Sequence, residues 1–312
     1  MKKWMPLQGS FIEDREGLVF QGMTQQSFAG QSSNPLAFQI APDGIVLFED
    51  MVSSGSIEAC VKFDNFEVGD LAQIIFNYQN DNYFMCAGVT NTLQKYSFSL
   101  FEGQQSRIIY ATGPTEALPV SEFHIKLQVI GSFLALHING IRVFTSAIPL
   151  LVNQTQVGIW VKSKGKVSIS NFKTSYKRPE VFIVSQFGDY YDVLYDEVIK
   201  PICEELNYNP VRGDEVASCT LILNDIITSI RNASVIIADI TPDNPNVFYE
   251  VGYAHALAKP TILLCEKGIR DKLPFDVSGF RTIFYDNSIG GKRQIEEKLR
   301  DHLQNINYSN FI

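Results

Sequence analysis

The residues best suited to chemistry lie in the stretch Ala238-Asp239-Ile240-Thr241-Pro242-Asp243-Asn244-Pro245-Asn246-Val247-Phe248-Tyr249-Glu250-Val251-Gly252-Tyr253-Ala254-His255-Ala256-Leu257-Ala258-Lys259-Pro260. An apolar run ends in Asp239, which sets a carboxylate at the carboxyl edge of a sheet, where open α/β sheets bind ligands. Asn244 suits an N-cap and Pro245 the first helical position, so a helix is expected to start there. On that helix Asn246, Glu250 and Tyr253 follow at spacings of four and three and share a face. Gly252, Ala254 and Ala256 are small, so close packing on the sheet is expected, and the helix stops before Lys259-Pro260. A glutamate in mid-helix is ordinarily a solvated surface residue. Glu250 instead has Val247, Phe248, Val251 and Ala254 around it in sequence, and a carboxylate in so apolar a setting needs a partner or a chemical role.

The elements that must position these residues change character along the chain. Residues 1–175 read as short strands. Ser56–Phe63 alternates at period two, and Ala72–Tyr78 and Tyr83–Val89 are apolar runs parted by Gln79-Asn80-Asp81-Asn82. Phe123–Val129 and Phe133–Ile138 meet at Gly131, Asn139-Gly140 marks a hairpin into Ile141–Phe144, and Gln156–Val161 and Lys166–Phe172 form a last pair. This pattern predicts a two-sheet, jelly-roll-like antiparallel sandwich. From Pro179 apolar strands alternate with helices. Strands are expected at Val181–Ser185, around Pro210–Arg212, and at Ser234–Ile240, Thr261–Cys265 and Arg281–Tyr285. The helices expected between and after them run about Tyr191–Leu206, Thr220–Asn232, Pro245–Ala258 and Gly291–Asn305. Such alternation implies a doubly wound, flavodoxin-like parallel sheet covered on both faces. The sequence thus divides into an all-β domain over 1–175 and an α/β domain over 178–312.

The segment "FHIKLQVIGSFLALHINGIRVF" with "VGIWVKSKGKVSISNFKT" resembles the concanavalin A-like lectin/glucanase (laminin-G-like) sandwich. The resemblance implies a ligand-binding or oligomerisation module, with a carbohydrate as one possible ligand. The E-x-D-x-E carboxylates of a glucanase of that fold are absent. The segment "IIADITPDNPNVFYEVGYAHALAKPTILL" resembles the nucleoside 2-deoxyribosyltransferase-like family, a neighbour of the Toll/interleukin-1 receptor (TIR) NAD-cleaving domains; the resemblance extends from "VFIVSQF" to "FRTIFYDNSIGGKRQIEEKL". It implies that Glu250 acts at the anomeric carbon, as nucleophile or as partner of the cationic sugar, and that Asp239 holds the substrate. By the same resemblance Phe187, Gly188 and Asp189 line the pocket, Asp214 reaches it from a second loop, and Asn244, Asn246 and Tyr253 bind substrate. Two departures are visible: Ser-Gln-Phe-Gly replaces the Gly-x-Pro-Phe type of first loop, and Asn-Pro-Asn precedes the glutamate. The first argues against free deoxynucleosides as substrates, and the second implies a different recognition of the sugar hydroxyls.

The implied activity is cleavage of an N-glycosidic bond in NAD or a nucleotide, by a regulated effector of the kind used in bacterial stress or antiphage defence. NAD would be a substrate; no cofactor and no metal is expected. The alternatives are a nucleoside monophosphate hydrolase or deoxyribosyltransferase of salvage, and a non-catalytic nucleotide-sensing receptor. Related sites borrow residues from a second subunit, so a homo-oligomer is expected.

Of 312 residues, 45% are hydrophobic and 19% charged, a globular composition. The net charge of −8 divides as −2 over 1–176 and −6 over 177–312, which disfavours nucleic acid polymers as partners. Early acidic residues after Met1-Lys2-Lys3 leave no signal-peptide core, and no apolar window of about 18 residues spans a membrane. Five cysteines without C-x-x-C spacing read as free thiols in the cytoplasm. His255 lies on a different helical face from Glu250 and reads as a packing or surface residue rather than a catalytic one. Ser288-Ile289-Gly290-Gly291-Lys292 offers a helix N-terminus that can hold a phosphate, or an ordinary turn.

Overall fold

The structure is a computed structural model that describes residues 3–23, 42–103, 105–116, 118–213, 222–270, 273–280 and 282–306. The chain divides into two compact units. The first comprises Met1–Val129, Leu134–Ala147 and Val152–Lys177; the second comprises Arg178–Ile312 with the short stretches Ile130–Phe133 and Ile148–Leu151.

The first unit is built from β1 (Trp4–Gln8), β2 (Phe11–Glu13), β3 (Gly17–Phe20), β4 (Asp43–Val52), β5 (Gly55–Phe63), β6 (Leu71–Asn80) and β7 (Tyr83–Thr90). It continues with β8 (Tyr96–Glu102), β9 (Gln105–Thr112), β10 (Glu122–Ile130), β11 (Phe133–Ile138), β12 (Ile141–Ala147), β13 (Thr155–Lys162) and β14 (Val167–Tyr176). They form two seven-stranded sheets, ordered β1-β4-β13-β6-β7-β8-β9 and β12-β11-β10-β5-β14-β3-β2. In β5 the buried residues Ile57, Ala59, Val61 and Phe63 alternate with more open ones, as period two requires. The central strands β6 and β7 are buried on both faces. Ile74, Phe76 and Met85 are fully buried, while Ile75, Phe84 and Cys86 join Ile45 in a separate cluster with Tyr78, Phe101 and Trp160. Gly158 and Gly88 sit where strands touch: a Cβ at either would lie 2.3 Å from the backbone oxygen of Val46 or Ala72.

The second unit holds β15 (Glu180–Val184), β16 (Asn209–Arg212), β17 (Val235–Asp239), β18 (Thr261–Glu266) and β19 (Thr282–Tyr285). All pair in parallel, in the order β16-β15-β17-β18-β19. Its helices are α1 (Asp189–Leu194), α2 (Lys200–Glu205), α3 (Ile222–Asn232), α4 (Pro245–Ala256) and α5 (Ile289–Asn305). The helix expected over Tyr191–Leu206 is interrupted: a π-helical turn over Tyr195–Ile199 separates α1 from α2. Such turns are rare and carry no composition signal of their own. Helices cover both faces. Val181, Ile183, Val235 and Ile237 pack with Tyr195, Val198, Ile295 and Leu299 on one side. Phe182, Val184, Ile236 and Ala238 pack with Ile230, Val247, Val251 and Ala254 on the other. Among the described residues no helix is long and apolar enough to cross a membrane.

Candidate functional site

Helix α4 begins as its sequence demands. Asn244 is extended (φ −103°) and its Oδ1 accepts from the Asn246 amide at 3.0 Å, with Pro245 in the first helical position. Val247, Val251 and Ala254 are buried at 2%, 1% and 0% exposure, so the spacing of four and three fixes the face laid on the sheet. At about 100° per residue, Glu250 lies roughly 40–60° from Val247 and Ala254 around the helix axis. It therefore borders the buried stripe and is itself only partly exposed. Among the described residues no donor or cation pairs with its carboxylate, and burial alone pushes its pKa up to about 7. Close packing by all three small residues is not found. Ala254 is buried, but Gly252 and Ala256 face solvent, and a Cβ on Gly252 would meet nothing within 4 Å.

The loop after β15 reaches the start of α4. The Asn244 Nδ2 donates to Gln186 Oε1 at 3.3 Å, and Ser185 Oγ is buried without a partner among the described residues. Strands β15 and β17 are neighbours whose outer partners follow in opposite directions, and ligands bind at such a switch point. Phe187 is 55% exposed, 5.6 Å from the guanidinium of Arg212, which pairs with Asp192 at 2.7 Å and lies 4.6 Å over the Tyr195 ring. Gly188, at φ 134°, caps α1 in a conformation that glycine tolerates best, and Asp189 is the exposed first residue of that helix. Asn246 is exposed and Tyr253 is half-buried against the α4 side of the sheet. Asp214 lies outside the described residues.

Asp239 stands apart from Glu250. By strand alternation it continues the face of Val235 and Ile237, whereas α4 covers the face of Ile236 and Ala238. It is 1% exposed. Its Oδ1 accepts from the amide and hydroxyl of Thr241 at 2.9 and 2.5 Å, and its Oδ2 from the Tyr285 hydroxyl at 3.3 Å. Burial raises its pKa, and these hydrogen bonds oppose the rise. The same Thr241 hydroxyl accepts from the Glu266 amide at 2.9 Å. Asp239 is thus the anchor of a network that ties the ends of β17, β18 and β19. Ser185, Gln186, Arg212, Thr241, Glu266 and Tyr285 were not singled out from sequence. Only strand-end position pointed to any of them, and their partners are distant in the chain.

His255 packs, as its helical position suggested: its ring stacks on Phe280 with centroids 3.9 Å apart. At the start of α5, Ser288 Oγ accepts from the Gly291 amide at 3.1 Å, and a Cβ on Gly291 would fall 1.9 Å from the Asp286 carbonyl oxygen. Close approach, met by glycine, accounts for that residue. Among the described residues, Cys60, Cys86, Cys203 and Cys265 are free and no acidic, histidine or cysteine cluster could hold a metal.

No protein-family model matches the chain, and no curated protein matches it. Among the solved structures similar to parts of the chain are three with TM-scores under 0.5. A carbohydrate-binding module, CBM66 from Bacillus subtilis, is 16% identical over 56% of this chain and 96% of its own, with a TM-score of 0.44. A prokaryotic β-1,3-1,4-glucanase (lichenase) from a mouse hindgut metagenome is 11% identical over 54% of this chain and 89% of its own, at 0.36. A Clostridium botulinum CMP N-glycosidase is 20% identical over 38% of this chain and 97% of its own, at 0.31.

Proposed function

We propose that the second unit cleaves the N-glycosidic bond of NAD or of a nucleotide, with Glu250 at the reacting centre. One observation carries the reading: a partly buried carboxylate, without a partner among the described residues, on a helix that starts beside the switch point of a parallel sheet. Loss of a base leaves a ribose with oxocarbenium character. An ionised Glu250 stabilises that cation by charge or captures C1 covalently, and water or an internal nucleophile then completes turnover. Desolvation makes the carboxylate costly when free and strengthens its interaction with a cation once one is bound. The strand order is that of flavodoxin-like folds, in keeping with the deoxyribosyltransferase-like and TIR-like resemblance of this segment. Ser185 Oγ and the Gln186–Asn244 pair supply polar groups for sugar or phosphate. Asp239 acts by holding the strand ends. We assign the sandwich a sensing or oligomerisation role.

The reading is tested by incubating the full chain with NAD and, separately, with nucleoside monophosphates, and following free base by chromatography. Release from one class names the substrate. No release from a folded protein with any of them removes the enzymatic reading and favours a nucleotide receptor.

A further inference from the structure

On the face of the parallel sheet away from α4, a cavity of about 390 Å³ opens at the carboxyl ends of β18 and β19. Val198 and Ile295 in its wall belong to the cluster under Val235 and Ile237, so the sheet separates it from the helix that carries Glu250. Its size falls in the range of small-molecule pockets, about 300–1,000 Å³. Val193, Leu194 and Ile295 give it apolar walls, and of the charged residues that line it Glu197, Asp286 and Lys292 are exposed whereas Glu266 is buried. Glu266 is 8% exposed and lines the cavity. Its Oε2 accepts from the Tyr190 hydroxyl, which in turn accepts from Asn287 Nδ2 at 3.1 Å. Among the described residues Glu266 Oε1 has no partner. The lysines nearby are engaged elsewhere: Lys292 with Glu197 at 2.9 Å, and Lys267 with Asp286 at 2.7 Å.

With Oε2 taken by Tyr190, Glu266 Oε1 is the carboxylate oxygen left to accept a donor from a ligand, and a carboxylate there disfavours an anion. The Tyr190 ring, 46% exposed, offers a flat apolar surface at the same place. We propose that this cavity binds a planar nitrogen heterocycle bearing an exocyclic amine or carboxamide, which donates an N–H to Glu266 Oε1 and lies against Tyr190. The site is independent of Glu250 and does not rest on the glycosidase reading.

Isothermal titration of the full chain with nicotinamide, cytosine and adenine, each alone, and with nicotinate as the anionic counterpart of nicotinamide, tests this. At least one amine or carboxamide binds saturably and nicotinate does not. Glu266→Gln weakens binding at least about ten-fold, the worth of one hydrogen bond to a charged acceptor. Val193→Trp, at a residue 55% exposed, fills the cavity, abolishes binding without touching the buried network, and serves if Glu266→Gln fails to fold. Glu250→Gln leaves binding unchanged. The proposal is overturned if none of the three binds, or if binding survives both cavity variants. Loss of binding in Glu250→Gln alone also overturns it, and would put the ligand at the glycosidase site. The glycosidase reading stands or falls separately, on base release by the wild type.

Discussion

The Tyr285 hydroxyl donates to Asp239 Oδ2 at 3.3 Å and so joins the ends of β17 and β19, two strands that do not pair with each other. Asp239 is 1% exposed, and this bond shares its carboxylate with the two donors of Thr241. Tyr285→Phe leaves one buried carboxylate oxygen without that donor. We expect a loss of about 1–3 kcal/mol in urea unfolding of the second unit. An unchanged midpoint would mean that the bond does not anchor the strand ends.

Glu250 ties stability to pH with a definite sign. Its folded pKa of about 7 lies above the ordinary 4.5, so the folded state holds the proton more tightly. Stability from this group is full below about 4.5 and is lost as pH rises through 7. Glu250→Gln has no such loss, so it should be more stable than wild type at pH 8, by roughly 1–3 kcal/mol after allowance for solvent screening. At pH 4 the two should match. Thermal unfolding at both values checks this, and an equal gap at both would show that the carboxylate is not desolvated.

Gly291 and Gly290 make an internal control at the start of α5. A Cβ at Gly291 meets the Asp286 carbonyl oxygen at 1.9 Å, whereas one at Gly290 meets nothing within 4 Å. Gly291→Ala should destabilise by about 1–3 kcal/mol. Gly290→Ala should be neutral or stabilise by up to about 1 kcal/mol. Equal effects would show that the helix start adjusts freely.

Lys259 is 3% exposed, and its ammonium donates to the carbonyl oxygens of Arg231 and Ala233, both at 2.6 Å. It pins the end of α3 to the turn after α4. Lys259→Met keeps the length and removes both donations, which should cost about 1–3 kcal/mol in chemical denaturation. A neutral result would mean that water replaces the ammonium.

What could be read in the sequence was what local rules decide. Asn244-Pro245 marked the start of α4 and period two marked β5. The packing expected of Gly252, Ala254 and Ala256 holds for Ala254 alone, because residue size does not say which face of a helix meets the sheet. The π-helical turn at Tyr195–Ile199 could not be read, because one extra residue in a helix leaves its composition unchanged. Asp239 was correctly set at a strand end, but its engagement by Tyr285 depends on a residue 46 positions away. Tyr190 and Glu266 are likewise 76 positions apart, so their shared cavity exists only once α1 and β18 are packed.

The central claim is that Glu250 sits at the reacting centre, and turnover by wild type and Glu250→Gln on NAD and nucleoside monophosphates tests it most directly. The account predicts that wild type releases free base from at least one of them, faster above pH 7 than below it, and that the variant folds yet loses turnover by at least about 100-fold. Base release by Glu250→Gln at the wild-type rate would contradict it.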